Sequence, residues 1–169
     1  MRTLIGIILG AMAAILICAV VANGQQANTN YSMLSVSWGV SQPIIGNTTA
    51  PGPHLWLVQP GSFVAYLWTY GRPGQSCWLF ASAIPQTVGS LVLPGGIVDL
   101  DVPTATEIAS YALPGTYYTC TTPVCPMAGV GIPVQIPSGI PLAVAVQEIV
   151  TDPTVAAGYR LTAAIYAMR

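Results

Sequence analysis

The sequence contains no lysine, and its four basic residues are all arginines: Arg2, Arg72, Arg160 and Arg169. Charged residues of both signs make up 5% of the 169 residues, whereas they make up about a quarter of a typical soluble domain. Because no basic cluster is available to neutralise phosphates, the composition argues against a nucleic-acid partner. Hydrophobic residues account for 53% of the chain, which argues against intrinsic disorder and for a buried core.

Motifs for catalysis or metal binding are also missing. His54 is the single histidine, and no G-x-S-x-G sequence accompanies it, so a Ser-His-Asp hydrolase is not indicated. The cysteines lack the paired spacing of structural zinc sites. Asp99, Asp101 and Asp152 carry oxygens suited to calcium, but Asp99 and Asp152 adjoin turns, where capping is the simpler interpretation. We therefore expect no enzyme and no cofactor.

The N-terminus carries a long uncharged run, in which Arg2 precedes the apolar segment from Leu4 to Ala22. A basic start, an apolar run and small residues at Ala22 and Gly24 are typical of a secretory signal peptide. We predict a signal peptide over residues 1–24. An uncleaved membrane-anchor helix is the alternative, because the run approaches the ~20 residues that span a bilayer. Both alternatives predict an extracellular or cell-surface location, with membrane contact only if the leader is retained.

Residues 25–169 are predicted to form a single domain in which short apolar runs alternate with proline- and glycine-containing turns. Runs of roughly four to ten residues rich in Val, Ile, Thr, Tyr and Trp indicate an all-β fold, an antiparallel β-sandwich of jelly-roll or immunoglobulin-like type. One short helical turn is expected around Pro103–Glu107. The predicted strands are Ser32–Val40, His54–Gln59, Phe63–Tyr70, Cys77–Ala83, Gly89–Leu93, Ile97–Leu100, Ile108–Leu113, Tyr117–Thr122, Val130–Ile136, Leu142–Ile149 and Tyr159–Met168.

Predicted export places the cysteines in an oxidising compartment. Cys120 and Cys125 flank a short proline-containing loop and are the natural disulfide pair. Cys77 would then be a free, buried thiol, with a bridge from Cys77 to either of the other two as the alternative. Export also makes the N-glycosylation patterns at Asn30 and Asn47 relevant, if the host glycosylates.

Aromatic residues concentrate in one predicted strand. Tyr66, Trp68 and Tyr70 alternate along it and therefore share one face of the strand. Together with Trp56 they form a candidate binding strip for a polysaccharide or another protein. The alternative is a central strand buried on both faces, since the opposite face, which includes Leu67, is apolar as well.

Four runs in the second half of the chain combine turn residues with short apolar stretches: Leu93–Asp101 (LPGGIVDLD), Ile132–Pro137 (IPVQIP), Leu142–Gln147 (LAVAVQ) and Asp152–Thr162 (DPTVAAGYRLT). Together they resemble the small secreted β-domains found, often as C-terminal modules, in planctomycete-type bacterial surface proteins. The resemblance spans roughly residues 74–168 and consists mainly of turn residues. It implies a β-sandwich exposed at the cell surface and carries over no catalytic residue.

The scarcity of charge suggests how such a domain is used. Soluble monomers normally place lysines on sheet edges to prevent pairing between molecules, and this chain has none. We expect a structural or interaction protein that forms homo-oligomers or filaments when its N-terminal segment, residues 25–40, adds to a neighbour's sheet. A carbohydrate-binding surface module is the alternative. The predicted donor-strand residues are Met33, Leu34, Val36, Trp38 and Val40.

Overall fold

The computed structural model describes residues 28–29, 32–37, 45–46, 50–86, 91–115 and 128–169. Within these ranges the chain consists of short strands, one 3₁₀ turn at Val102–Thr104 and no α-helix, which confirms the all-β class. The strands are β1 (Ser32–Ser37), β2 (His54–Leu57), β3 (Phe63–Gly71), β4 (Ser76–Ala83), β5 (Leu91–Leu93), β6 (Gly96–Val98), β7 (Thr106–Ala112), β8 (Ala128–Ile136), β9 (Ala143–Thr151), β10 (Tyr159–Leu161) and β11 (Ile165–Met168).

The strands form three sheets. β1, β3 and β8 make a three-stranded antiparallel sheet in the order β1-β3-β8. A six-stranded sheet has the order β2-β11-β9-β4-β7, with β10 also paired to β9. β5 and β6 form a separate hairpin. All pairings are antiparallel except the one between β2 and β11. Among the described residues, β1 and β8 therefore lie at the edges of the smaller sheet, and β2, β7 and the short β10 at the edges of the larger one. On its outer side β1 is bridged at Val36 by Ile45.

Side chains from the three-stranded and the six-stranded sheet pack into one hydrophobic core. On β3 the alternation is regular, because Ala65 and Leu67 are buried in this core while Tyr66 and Trp68 on the opposite face are only half-buried. This period of two is what a strand with one face on a core produces. The buried members of the core are Leu34, Val36, Trp56, Val58, Ala65, Leu67, Leu79, Ile136, Val146, Ile165 and Ala167.

The predicted strand Tyr159–Met168 is interrupted. β10 and β11 lie one after the other along the same side of β9, but residues 162–164 between them lie opposite only residues 147–148. The buried Gln147 side chain donates to the carbonyl of Thr162 at 2.8 Å, and Thr162 Oγ1 accepts from the Glu148 amide at 3.1 Å. The Thr162 amide still donates to the Glu148 carbonyl at 3.0 Å, so these side-chain hydrogen bonds add to the backbone bond where the extra residue bulges out.

Some predicted features lie outside the described residues. These are the signal peptide, the strand Tyr117–Thr122, the cysteine pair Cys120 and Cys125, both glycosylation patterns, and Trp38 and Val40 of the predicted donor strand. Cys77, within the described part, is a free and buried thiol. No helix in the described ranges has the length and hydrophobicity needed to cross a membrane.

Candidate functional site: an aromatic strip and uncharged sheet edges

Three aromatic rings form a row on the face of the three-stranded sheet that points away from the core. The centroids of the Tyr66 and Trp68 rings lie 6.1 Å apart, with 29° between the ring planes. The centroids of Trp68 and Tyr70 lie 6.2 Å apart, with 14° between the planes. These spacings match the distance between alternate residues of a strand. The nearly parallel rings form one continuous strip, named here the aromatic strip (Tyr66, Trp68, Tyr70).

The neighbouring strand β8 leaves room for this strip. Gly131 lies opposite Trp68 and Gly129 opposite Tyr70 in the β3–β8 register. A Cβ atom added to Gly131 would lie 2.9 Å from the indole ring, and one added to Gly129 would lie 2.8 Å from the Tyr70 ring. The rings therefore rest on bare backbone. The sequence carries a signal for this pairing: β8 contains G-x-G and β3 contains Y-x-W-x-Y. These patterns could have predicted that β8 lies beneath the rings of the aromatic strip.

Trp68 also contacts β1, the strand that flanks β3 on the side opposite to β8. Its indole Nε1 donates to Ser37 Oγ on β1 at 2.9 Å. The ring thus extends over parts of all three strands and is fixed in orientation. Trp56, which the sequence analysis grouped with the strip, lies apart from it, because Trp56 is buried in the core and packs edge-on against Phe63 at 6.4 Å.

The predicted donor-strand residues Met33, Leu34 and Val36 are all buried in β1, which pairs along its whole length with β3 of its own fold. The fully buried Asn28 fastens this strand. Its Oδ1 accepts from the amides of Leu34 and Ala163 at 3.3 and 2.9 Å, and its Nδ2 donates to the carbonyls of Leu34 and Gly46 at 3.3 and 2.8 Å. The sequence analysis did not single out Asn28, because a lone asparagine carries no pattern.

Charge is scarce on the surface of the described part of the chain. Of its eight charged residues Glu107 is exposed, Arg72, Asp101, Arg160 and Arg169 are half-buried, and Asp99, Glu148 and Asp152 are buried. Arg160 forms an ion pair with Asp152, with Nε and Oδ2 2.6 Å apart. Large apolar side chains are exposed, among them Leu57 on the edge strand β2 at 69%. Apart from Glu107 on β7, the edge strands β1, β2, β7 and β8 carry no acidic, lysine or arginine side chain, and the short β10 carries Arg160.

A buried carboxyl group on the six-stranded sheet accepts a hydrogen bond from the three-stranded sheet. Glu148 on β9 is fully buried, and Thr69 Oγ1 on β3 lies 2.9 and 2.8 Å from its two oxygens. The Tyr111 hydroxyl on β7 donates to the same carboxyl, and the Cys77 thiol contacts it as well. Desolvation by burial raises the pKa of Glu148 to about 7, against the opposing effect of these hydrogen bonds. Burial, followed by the nearby Glu148 charge, also raises the pKa values of Tyr111 and Cys77.

The aspartates considered as calcium ligands are not brought together. The Asp152 carboxylate accepts from the Thr154 amide at 2.9 Å and pairs with Arg160, which is the turn-capping role. Asp101 accepts from the Thr104 hydroxyl at 2.6 Å beside the 3₁₀ turn. The described residues contain no cluster of three or more His, Cys, Asp and Glu side chains suited to a metal.

His54, the single histidine of the sequence, is half-buried. It lies in β2 opposite Ile165, and its Nε2 atom is buried without a hydrogen-bond partner. Burial lowers the pKa of its imidazole accordingly.

Comparisons with protein-family models, with curated proteins and with solved structures gave no match to this chain. The resemblance to bacterial surface modules therefore stays a prediction, and the proposals below rest on the geometry just described.

Proposed function

We propose that this chain is a secreted or cell-surface structural protein, folded as an antiparallel β-sandwich of jelly-roll or immunoglobulin-like type, that self-assembles into filaments through its sheet edges. The observation that carries the proposal is the scarcity of charge on the edge strands. Edge strands without lysine leave their unpaired backbone groups open to another molecule. On the described edge strands β1, β2, β7 and β8, Glu107 is the one charged side chain.

The proposed mechanism is exchange of the N-terminal strand between neighbouring copies. β1 lies at the edge of its sheet and contributes Leu34 and Val36 to the shared core. A copy whose β1 leaves would expose that part of the core, which the β1 of a second copy can cover with identical contacts. Because each copy gives its strand to one neighbour and receives one from another, the contact is head-to-tail and extends into a filament.

A disulfide lock tests this mechanism. Ser32 and Gly71 lie directly opposite each other in the β1–β3 register, so the double variant Ser32→Cys with Gly71→Cys can fasten β1 to its own fold. We expect filaments by negative-stain electron microscopy for the wild type and for the reduced variant, and discrete particles for the variant oxidised as isolated monomers, because oxidation after assembly would form the same disulfide between neighbouring copies. Ser32→Cys alone is the control for the added thiol. Filaments of the oxidised, locked protein, or discrete particles from the native exported wild type, would contradict the proposal.

The aromatic strip supports a second candidate, a carbohydrate-binding module. Nearly parallel aromatic rings on an outer face offer stacking surfaces for the apolar faces of sugar rings, and the glycines beneath them keep the strip low and even. The Trp68→Ala variant should lose retention on a polysaccharide column while its circular dichroism stays native. Trp78→Ala is the matched control, because Trp78 is also half-buried but lies on β4 of the other sheet. Retention of Trp68→Ala equal to that of the wild type would remove this candidate.

A further inference from the structure

A cavity of about 200 Å³ reaches from the surface into the core, between the three-stranded and the six-stranded sheet. Its lining is mostly aliphatic and comes from both sheets. Ala65 and Leu67 of β3 and Val134 of β8 form one side, while Val146 of β9 and Ile165 and Ala167 of β11 form the other. Packed sheets normally fill the space between them with side chains, and here part of that space is left open to solvent.

The cavity opens between two sheet edges. Among its lining residues, Ile108 on β7 is 49% exposed, and Gln135 and Pro137 at the end of β8 are exposed as well. Ala65, Val146 and Ile165, in contrast, are buried. The mouth therefore lies where the edge strands β7 and β8 face each other, and the closed end lies in the core.

The chemistry of the lining restricts what can enter. No charged residue lines the cavity. The amide of Gln135 at the mouth is engaged by Ser62, with Nε2 donating to Oγ at 2.9 Å. A polar group placed inside would lose its hydration without gaining a partner. Apolar cavities of roughly 150 Å³ stay dry and accept a benzene-sized molecule, so this cavity suits an apolar ligand only slightly larger.

The geometry points to a binding site for one alkyl chain of about six to eight carbons, that of a single-chain amphiphile whose head group stays in solvent beside Gln135. The apolar lining and a volume suited to one short chain set this class. A second chain does not fit, and a second polar end would have to be buried. This site is independent of strand exchange and goes beyond the proposed structural role.

Two ligands of known chemistry test the site on the full exported protein. Octanoate carries one chain and one head group, and suberate is the dicarboxylate of the same chain length. Methyl signals in ¹³C–¹H NMR spectra should shift on titration with octanoate, centred on Leu67, Val146 and Ile165, and stay unchanged with suberate. Absence of shifts with octanoate would overturn the proposal, and so would equal binding of suberate.

A filled cavity provides the matched test on the protein. Ala65→Leu adds three carbons inside the cavity, and we expect octanoate to bind on the order of fiftyfold more weakly, the loss for about three methylenes that no longer fit. Ala143→Leu makes the same change at an exposed position of β9 and should leave binding unchanged. If Ala65→Leu does not fold, Ala167→Leu at the opposite wall serves instead. Unaltered octanoate affinity in the folded variant would refute the site.

Discussion

Glu148 shows how one residue can set the pH response of the domain. Its carboxyl is buried among Thr69, Tyr111 and Cys77, and in the described part of the chain no arginine or histidine pairs with it. A carboxyl in such surroundings favours its neutral form. The pKa of about 7 lies above the ordinary value of 4.5, so the folded state holds this proton at pH values where the unfolded chain has released it.

The first prediction follows from that difference in proton binding. The contribution of Glu148 to stability should be complete below pH 4.5 and should be lost progressively as the pH rises through about 7. A pKa difference of this size corresponds to on the order of 3 kcal/mol in the free energy of unfolding. Urea titrations at pH values on both sides of this window measure it, and the neutral variant Glu148→Gln should lose this part of the pH dependence. An identical slope in Glu148→Gln would assign the effect to other groups.

Single buried polar residues were the part of the molecule least accessible from the sequence. Glu148 interrupts the apolar run Ala143–Val150, and a charge within an otherwise apolar strand is a signal of burial that could have been used. Asn28 gives no such signal, because its four hydrogen bonds join segments that are remote in the chain. The contribution of Glu148 and Asn28 to the fold depends on which segments meet in space, and the spacing of residues along the sequence does not give that information.

Strands, in contrast, could be predicted from local chemistry. Proline and glycine end the chain's extended runs, so the positions of β3, β4, β8 and β9 follow from the turns that separate them. The order of strands in the sheets did not follow, because alternation shows which face is buried but not which strand lies alongside. The break between β10 and β11 was missed for a related reason, since its cause is the side chain of Gln147 on a different strand.

The pairing of β3 with β8 gives a prediction at the level of elements. Gly131→Ala places a methyl group against the Trp68 indole, which is also fixed by Ser37 and cannot move freely. We expect a loss of about 1–3 kcal/mol in stability, as for other overpacked sites. The Trp68 signal should change in near-ultraviolet circular dichroism. Gly115→Ala is the control, because a Cβ there meets nothing within 4 Å. A native spectrum and native stability in Gly131→Ala would mean that the strip does not rest on this strand.

At the scale of the whole molecule, the low surface charge predicts how assembly responds to salt. Ionic strength acts on interactions between exposed charges. Of the eight charged side chains among the described residues, Glu107 is exposed, four are half-buried and three are buried. Assembly of the wild type, followed by sedimentation, should therefore be nearly constant between about 0.02 M and about 0.5 M salt. A steep loss of assembly across this range would show that charged contacts hold the copies together.

Added charge offers the converse test and separates sheet edges from the rest of the surface. Leu57→Lys introduces a cation on the edge strand β2, where the native leucine is 69% exposed, and Val102→Lys introduces the same cation on the 3₁₀ turn, where the valine is 54% exposed. The prediction is for filaments in which copies joined by exchange of β1 also meet along the edge strand β2, because a lysine at residue 57 must then be desolvated in each contact. We expect Leu57→Lys to raise the critical concentration for assembly about tenfold, the equivalent of about 1.4 kcal/mol per contact. Val102→Lys should assemble like the wild type, and equal effects of the two variants would show that net charge, rather than the edge, controls assembly.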